Sequence, residues 1–190
     1  MKCLIINGSP KNSGNTARIV EEFKKHYSGE IDEVNVFKNV SPCIDCFGCT
    51  KVAKCCINDD FAKVIADDYE IVVIASPIYM SNLPGPMFNL ISRFNYVYNN
   101  RVYLNVEQVY KPKKAILFLV GGGFASEKLK GESNESNPIR QAKYIFDKIN
   151  ADLIEQNMVL CLNTDDIMVD DNIAILKLVE NIALSCSKNY

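Results

Sequence analysis

Ser9, Lys11, Asn12, Ser13, Asn15 and Thr16 crowd hydroxyl, amide and ammonium donors into one short stretch. Gly8 and Gly14 are interleaved among them, and the stretch follows directly on the apolar run Cys3–Ile6. Donors of this kind at the start of a helix suit a phosphate dianion, because the first backbone N–H groups and the positive end of the helix dipole converge on one spot. Two familiar phosphate loops are excluded. A Walker loop needs Lys-Ser or Lys-Thr after its last glycine, and Asn15 follows Gly14; a dinucleotide fingerprint needs three glycines at fixed spacing, and only two are present. An ordinary strand–helix turn rich in capping residues is the plainer alternative.

The second chemical cluster is sulfur. The chain has eight cysteines, and Cys43, Cys46, Cys49, Cys55 and Cys56 fall within one short segment. Cys43-x2-Cys46-x2-Cys49 is the spacing with which three thiolates wrap one iron–sulfur cluster in ferredoxin-type runs, a fourth coming from nearby. Zinc more often takes two pairs set apart by a longer spacer. Thiols without metal, or a disulfide, are the remaining readings, the disulfide disfavoured where thiols are kept reduced. Cys3, Cys161 and Cys186 sit in apolar patterns and read as core. His26, the only histidine, lies near a helix end and is not expected to act in catalysis.

These groups must be held by a scaffold. The 190 residues, 48% hydrophobic and 23% charged, suit one globular domain spanning 1–190. A net charge of −2 without a Lys/Arg cluster argues against nucleic acid. No apolar stretch is of membrane-spanning length and no signal-peptide pattern opens the chain, so a cytoplasmic location is expected.

Apolar runs at Cys3–Ile6, Ile71–Ala75 and Ala115–Val120 read as strands buried on both faces, with a half-exposed strand at Ile31–Val36. Between them the spacing predicts helices from Asn15 to Tyr27, a short one after Asp59 or Asp60, one carrying Met87, Leu90, Ile91 and Phe94, and one from about Pro138. Leu153–Leu162 reads as the last strand and Asp170–Ser187 as the closing helix. Alternating strands and helices predict an α/β fold with a five-stranded parallel sheet and helices on both faces. Ligands of such a sheet bind beyond the carboxyl ends of the strands. That rim should bring the loop at 9–16 together with Ser76–Pro86 and Gly121-Gly122-Gly123. Two segments stand apart: a cysteine-rich loop at 42–58, and an aromatic insertion at 95–112 holding Tyr96, Tyr98, Tyr103 and Tyr110.

The first loop resembles the phosphate loop of flavodoxin-like FMN proteins. Cys43-Ile44-Asp45-Cys46-Phe47-Gly48-Cys49 running to Cys55 and Asp59-Asp60, then Ala75-Ser76-Pro77-Ile78-Tyr79, then the triglycine, resemble the NADPH-dependent FMN reductase family in its iron–sulfur flavoprotein branch. The resemblance implies a flavodoxin-like three-layer fold and FMN as cofactor. FMN rather than FAD is expected, because the first loop surrounds a terminal phosphate and lacks a dinucleotide fingerprint. It also implies flavin contacts from Pro77, Ile78, Tyr79, Met80, Asn82, Gly121, Gly122 and Gly123, against the alternatives of a packing role for Tyr79 and a hinge at the glycines. A [4Fe–4S] cluster on Cys43, Cys46, Cys49 and Cys55 is implied in the same way, Cys55 being preferred because relatives place this cysteine just ahead of the Asp pair.

The activity implied is an NAD(P)H-dependent flavoenzyme that passes electrons to a quinone, another small acceptor or the cluster. The alternatives are an iron–sulfur flavoprotein reduced by ferredoxin, a flavodoxin-like carrier without turnover, or a binding module on the same fold. Such flavoenzymes often complete the open face of the ring with a second subunit, and the aromatic insertion suggests a homodimer or homotetramer.

Overall fold

A computed structural model describes residues 1–122, 137–164 and 168–187. Its strands are β1 (Lys2–Asn7), β2 (Glu30–Asn35), β3 (Ile71–Pro77), β4 (Lys113–Val120), β5 (Ala151–Asp152) and β6 (Met158–Cys161). All pairings are parallel, in the order β2-β1-β3-β4-β5, with β6 also on β4. β5 and β6 occupy the same edge position, so the sheet has five places and the flavodoxin-like order 2-1-3-4-5.

Continuous burial along β1, β3 and β4 follows from helices on both faces. One face carries Leu4, Ile6, Val72, Ile74, Leu117 and Leu119. Against it lie Met87 and Leu90 of α4 (Gly85–Arg93) and Ile139, Ala142, Ile145 and Phe146 of α6 (Asn137–Lys148). The other face carries Cys3, Ile5, Val73, Ile116 and Phe118 against Ile19, Val20 and Phe23 of α1 (Asn15–His26). Val179, Ile182, Ala183 and Cys186 of α7 (Ile173–Ser187) complete that layer. Cys3, Cys161 and Cys186 are core residues here, and burial pushes the Cys3 and Cys161 thiols up. The remaining helices are short: α2 (Val36–Asn39) and α3 (Phe61–Val64) flank the cysteine loop, and α5 (Asn95–Leu104) follows α4.

Two expectations are revised. Leu153–Leu162 is not one strand: the turn Glu155–Asn157 interrupts it, and the buried Asn157 amide donates to the carbonyl of Ala115 (3.1 Å) where a ladder bond would otherwise run. In the aromatic segment Asn95–Leu104 is helical, and two of the four tyrosines read as surface rings are not. Tyr96 and Tyr110 are buried and share a 2.7 Å hydroxyl–hydroxyl contact, leaving Tyr98 and Tyr103 as its exposed rings.

Phe23 is the pivot of the α1 layer, fully buried, stacked on Tyr27 at 5.4 Å and edge-on to Phe118 at 5.9 Å. Phe23→Ala should therefore cost about 3–5 kcal/mol, measured as a lower urea midpoint at unchanged slope.

Candidate functional site

Register decides what meets at the rim. Asn7 pairs with Ala75, and Pro77 with Val120, so the loops after β1, β3 and β4 leave the sheet side by side. Gly8 donates to the carbonyl of Ala75 (2.8 Å), and a Cβ on it would lie 2.7 Å from Ser76 Oγ; only glycine permits this approach. Gly14 has φ +129°, a region that L side chains rarely adopt, and directly precedes α1. No side chain caps that helix, and it carries no acidic residue in its first turn. Its first N–H groups thus open onto a cavity of about 420 Å³.

Ser9, Lys11, Ser13, Asn15 and Thr16 line one side of this cavity, with Pro77, Ile78, Tyr79, Gly121 and Gly122 on the other. Gly14, Val120, Thr164 and Met168 complete it. Thr164 was not expected; its N–H and hydroxyl both bond the Gly121 carbonyl (3.2 Å each) and so fix the glycine segment. Asn15 accepts from the Val169 N–H (3.2 Å), drawing the segment after β6 towards α1. Three of the expected residues are not among those lining this cavity. Asn12 accepts from Lys38 Nζ (2.7 Å) in a neighbouring cleft, Met80 is 94% exposed, and Asn82 is engaged in bracing. Gly123 lies outside the described residues.

The bracing of Asn82 explains how Tyr79 is presented. Tyr79 and Asn82 exchange backbone bonds of 2.9 and 3.0 Å, with Met80 and Ser81 both left-handed between them, a two-residue hairpin tip. Gln141 of α6 clamps that tip, donating to Asn82 Oδ1 (2.8 Å) and accepting from the Leu83 N–H (2.9 Å). Gln141 carried no signal in the sequence, since a polar residue on an amphipathic helix reads as surface.

The donor set matches a phosphate: a helix N-terminus, three hydroxyls and an ammonium. The opposite wall, with an aromatic ring, apolar side chains and bare glycine backbone, matches a flat heteroaromatic ring. The chemistry of the residues thus fits FMN.

The cysteine loop is held by Arg93, which is 1% exposed. Its guanidinium donates to Asp59 Oδ2 (2.7 Å) and to the carbonyls of Ser41 (3.0 Å) and Ile57 (3.1 Å), and lies over the Phe61 ring at 4.7 Å. Burial opposes the Asp59 charge, but Arg93 and the N–H groups of Ser41 and Phe61 outweigh it and hold the carboxyl below the usual range. Arg93 was missed by sequence reasoning, though a cation at i+3 from Leu90 on a buried stripe was a legible signal.

Cys43, Cys46, Cys49, Cys55 and Cys56 all line one small cavity of about 20 Å³ beside Arg93. Arg93 Nε is buried there without a hydrogen-bond partner among the described residues. The expected ligand set is nevertheless not assembled. Among the described residues no three Cys, His, Asp or Glu side chains are grouped to hold a metal ion. Cys49 accepts from Asn99 Nδ2 (3.2 Å), and Cys46 faces Cys56 at 2.9 Å between sulfurs. As folded, the loop does not fit a four-iron cube. The Cys56 thiol and the Gly48 N–H hold Cys46 below the ordinary thiol value, and the same contact pushes Cys56 up. His26 bonds Glu22 (3.0 Å) within α1, remote in role from either cavity.

A family model described as NADPH-dependent FMN reductase matches residues 1–131, which include the three rim loops and the cysteine segment. The chain belongs to this family. Among curated relatives, an iron–sulfur flavoprotein of Methanocaldococcus jannaschii is 30% identical over 99 residues, 49% of this chain and 51% of the relative. One from Archaeoglobus fulgidus is 36% identical over 119 residues, 56% and 58% of the two chains. The chain thus spans about half the length of the curated relatives it matches. Two solved structures share the fold over its whole length. An NAD(P)H:quinone oxidoreductase from Methanothermobacter marburgensis has TM-score 0.67 at 11% identity, covering 100% of this chain and 98% of its own. An FMN-dependent NADH-azoreductase from Bacillus anthracis, in complex with FMN, has TM-score 0.62 at 14% identity, covering 99% and 100%.

Removing one partner of a buried ion pair leaves the other uncompensated, so Arg93→Met should cost about 3–5 kcal/mol and Asp59→Asn a comparable amount. The Asp59 carboxyl is depressed when folded. Its contribution is complete above the unfolded value, about 3.9, and is lost as pH falls through the lower folded value. Denaturation curves should accordingly show wild type losing stability below about pH 4 more steeply than Asp59→Asn.

Proposed function

We propose that this chain is an FMN-dependent NAD(P)H oxidoreductase that passes electrons from a reduced nicotinamide to a quinone or another small acceptor. The observation that carries this reading is the cavity at the carboxyl rim, where the open N-terminus of α1 faces Tyr79 and the Gly121–Gly122 backbone. Family membership and the FMN-bound azoreductase sharing the fold support it.

Ser9, Lys11, Ser13, Asn15 and Thr16 would hold the phosphate. Thr16 is 5% exposed, so its hydroxyl exchanges little with water and is suited to a lasting bond to a dianion. Pro77, Ile78 and Tyr79 would flank the ring and exclude water from one side. Gly121 and Gly122 would let main-chain groups reach its polar edge, with Thr164 fixing their direction. When bound, FMN supplies hydride acceptance and onward release of electrons, chemistry that no side chain here provides.

A second reading is an iron–sulfur flavoprotein that relays electrons singly, with ferredoxin as donor. The five cysteines lining one cavity and the names of the curated relatives favour it. It requires the loop to open so that Cys43, Cys46, Cys49 and Cys55 surround a cluster. We also assign the exposed face of α5, with Tyr98, Val102 and Tyr103 each more than half exposed, to contact with a second copy of the chain.

Four measurements test these readings. Thr16→Val should weaken FMN binding about ten- to a hundredfold, the loss of one hydrogen bond to a charged group; unchanged affinity would remove Thr16 from the phosphate site. The FMN-loaded protein should oxidise NADH or NADPH with a quinone present, and carry negligible iron and acid-labile sulfide after anaerobic purification. About four of each per chain would favour the relay. Light scattering at micromolar concentration should give a dimer mass or higher; a monomer mass would free the α5 face for another role.

A further inference from the structure

The cysteine loop holds a feature that neither flavin chemistry nor a four-thiolate cluster uses. Five cysteines face one cavity, and two of them, Cys46 and Cys56, are already paired sulfur to sulfur at 2.9 Å. A disulfide bond is about 2.04 Å long, so closure needs an approach of roughly 0.9 Å. Both thiols are solvent-exposed, unlike the buried Cys3, Cys161 and Cys186.

The loop backbone is organised around this pair. Asp45 and Phe47 are both left-handed, with φ of 52° and 55°, which folds the chain back on either side of Cys46. The turn Gly48–Thr50 then locks: the Thr50 N–H and hydroxyl both bond the Phe47 carbonyl, at 3.1 and 2.8 Å, and the Lys51 N–H bonds that of Gly48 (3.1 Å). Gly48 sits against the pair; a Cβ there would lie 3.4 Å from Cys56 Cβ and 3.7 Å from Cys46 Sγ. On the far side Arg93 anchors Ile57, next to Cys56, through its carbonyl. Both sulfurs are therefore carried on backbone that is fixed locally, so little ordering remains to be done when they bond.

We propose that Cys46 and Cys56 form a reversible redox dithiol that closes to a disulfide under a hydroperoxide oxidant. In the first step one thiol attacks the peroxide oxygen, becomes a sulfenic acid, and releases one water. The second thiol then attacks that sulfur, forming the S–S bond and releasing a second water. Two thiols and one hydrogen peroxide thus give one disulfide and two waters, the two electrons passing from sulfur to oxygen. A dithiol reductant reverses it by exchange. Where thiols are generally kept reduced, a disulfide of this kind is transient and suits sensing rather than structural support. Closure also withdraws Cys46 from any metal, so the disulfide and a metal-loaded loop are mutually exclusive states of one segment. The proposal is independent of the flavin reading, because no rim residue takes part in it.

The test uses the FMN-loaded protein, freshly reduced and freed of reductant, then treated with equimolar hydrogen peroxide. Remaining thiols are alkylated and the tryptic digest is analysed by mass spectrometry. Lys51 and Lys54 separate the two cysteines into different peptides, so a bond between them appears as a linked pair that a dithiol reductant dissolves. Cys43→Ser, Cys49→Ser and Cys55→Ser should keep that link. Cys46→Ser and Cys56→Ser should abolish it, and in Cys56→Ser the Cys46 sulfur should stop at sulfenic acid, reaching sulfinic acid only when a second equivalent of peroxide is added. Bound FMN, read from its absorbance, should stay constant across the series, which separates failure here from failure of the flavin site. A link that survives Cys56→Ser, or no link in the wild-type chain while its FMN is retained, would overturn the proposal. So would stoichiometric iron that persists through the peroxide treatment.

Discussion

One buried cation fixes the most chemically charged part of this chain. Arg93 binds Ser41, Ile57 and Asp59, residues that stand on either side of the cysteine segment, and so it clamps both ends of that loop to α4. Taking a guanidinium out of water costs several kcal/mol, which three acceptors and the face of Phe61 must offset. The return is geometric. With its base closed, the loop loses much of the freedom that an open segment of its length would have, and its thiols are confined to one small volume. With the loop base closed, Cys49 bonds Asn99 of α5 and the Cys43 N–H bonds Ser92 Oγ of α4 (3.0 Å).

The rim cavity depends on a different constraint, the parallel register. Once β1, β3 and β4 are buried on both faces, their side chains alternate between two hydrophobic layers and a one-residue slip would exchange the layers. The register that satisfies both layers also sets the three outgoing loops level with one another. The loop at 9–16 and the glycine segment therefore meet without a dedicated interaction between them. What remains to be specified is local: the absent side chain at Gly8, the unusual φ at Gly14, the left-handed pair at 80–81, and the Thr164 bonds to Gly121.

This division explains what could be read from sequence. Uninterrupted apolar runs at 3–6, 71–75 and 115–120 announce strands covered on both sides, and the structure has them at those places. The periodic stripe of α1 and the glycine-bearing turn before it were equally legible. The fifth strand was not, because its break comes from a buried Asn157 reaching the Ala115 carbonyl, a contact between residues 42 apart. Tyr96 and Tyr110 looked like surface aromatics for the same reason: both are buried in the core layer, and their hydroxyls meet 14 positions apart, at no helical or strand period. The cysteine spacing suggested a ligand set for iron but could not report the left-handed angles at Asp45 and Phe47 or the Cys46–Cys56 contact they flank.

The two chemical regions are joined mechanically at the end of β2. Asn35 accepts from the Phe37 N–H (3.0 Å), starting α2 and directing the chain towards the cysteine loop, while its amide donates to the Ser9 carbonyl (3.0 Å) in the loop at 9–16. Lys38, one turn on, bonds Asn12 of the same loop, and the Asn7 amide reaches Glu33 of β2 (2.7 Å). Three polar contacts therefore tie the segment that leads into the thiols to the segment that would hold a phosphate. The short helix α2 lies between Asn35 and the cysteine loop, so the Asn35–Ser9 bond sets where that segment leaves the sheet edge. Conversely, an anion that rigidified the loop at 9–16 would stiffen the departure point of the thiol loop. The coupling is carried by side-chain amides, whose bonds are individually modest but share one rigid sheet edge, so the loops act as neighbours rather than as independent attachments to a common scaffold.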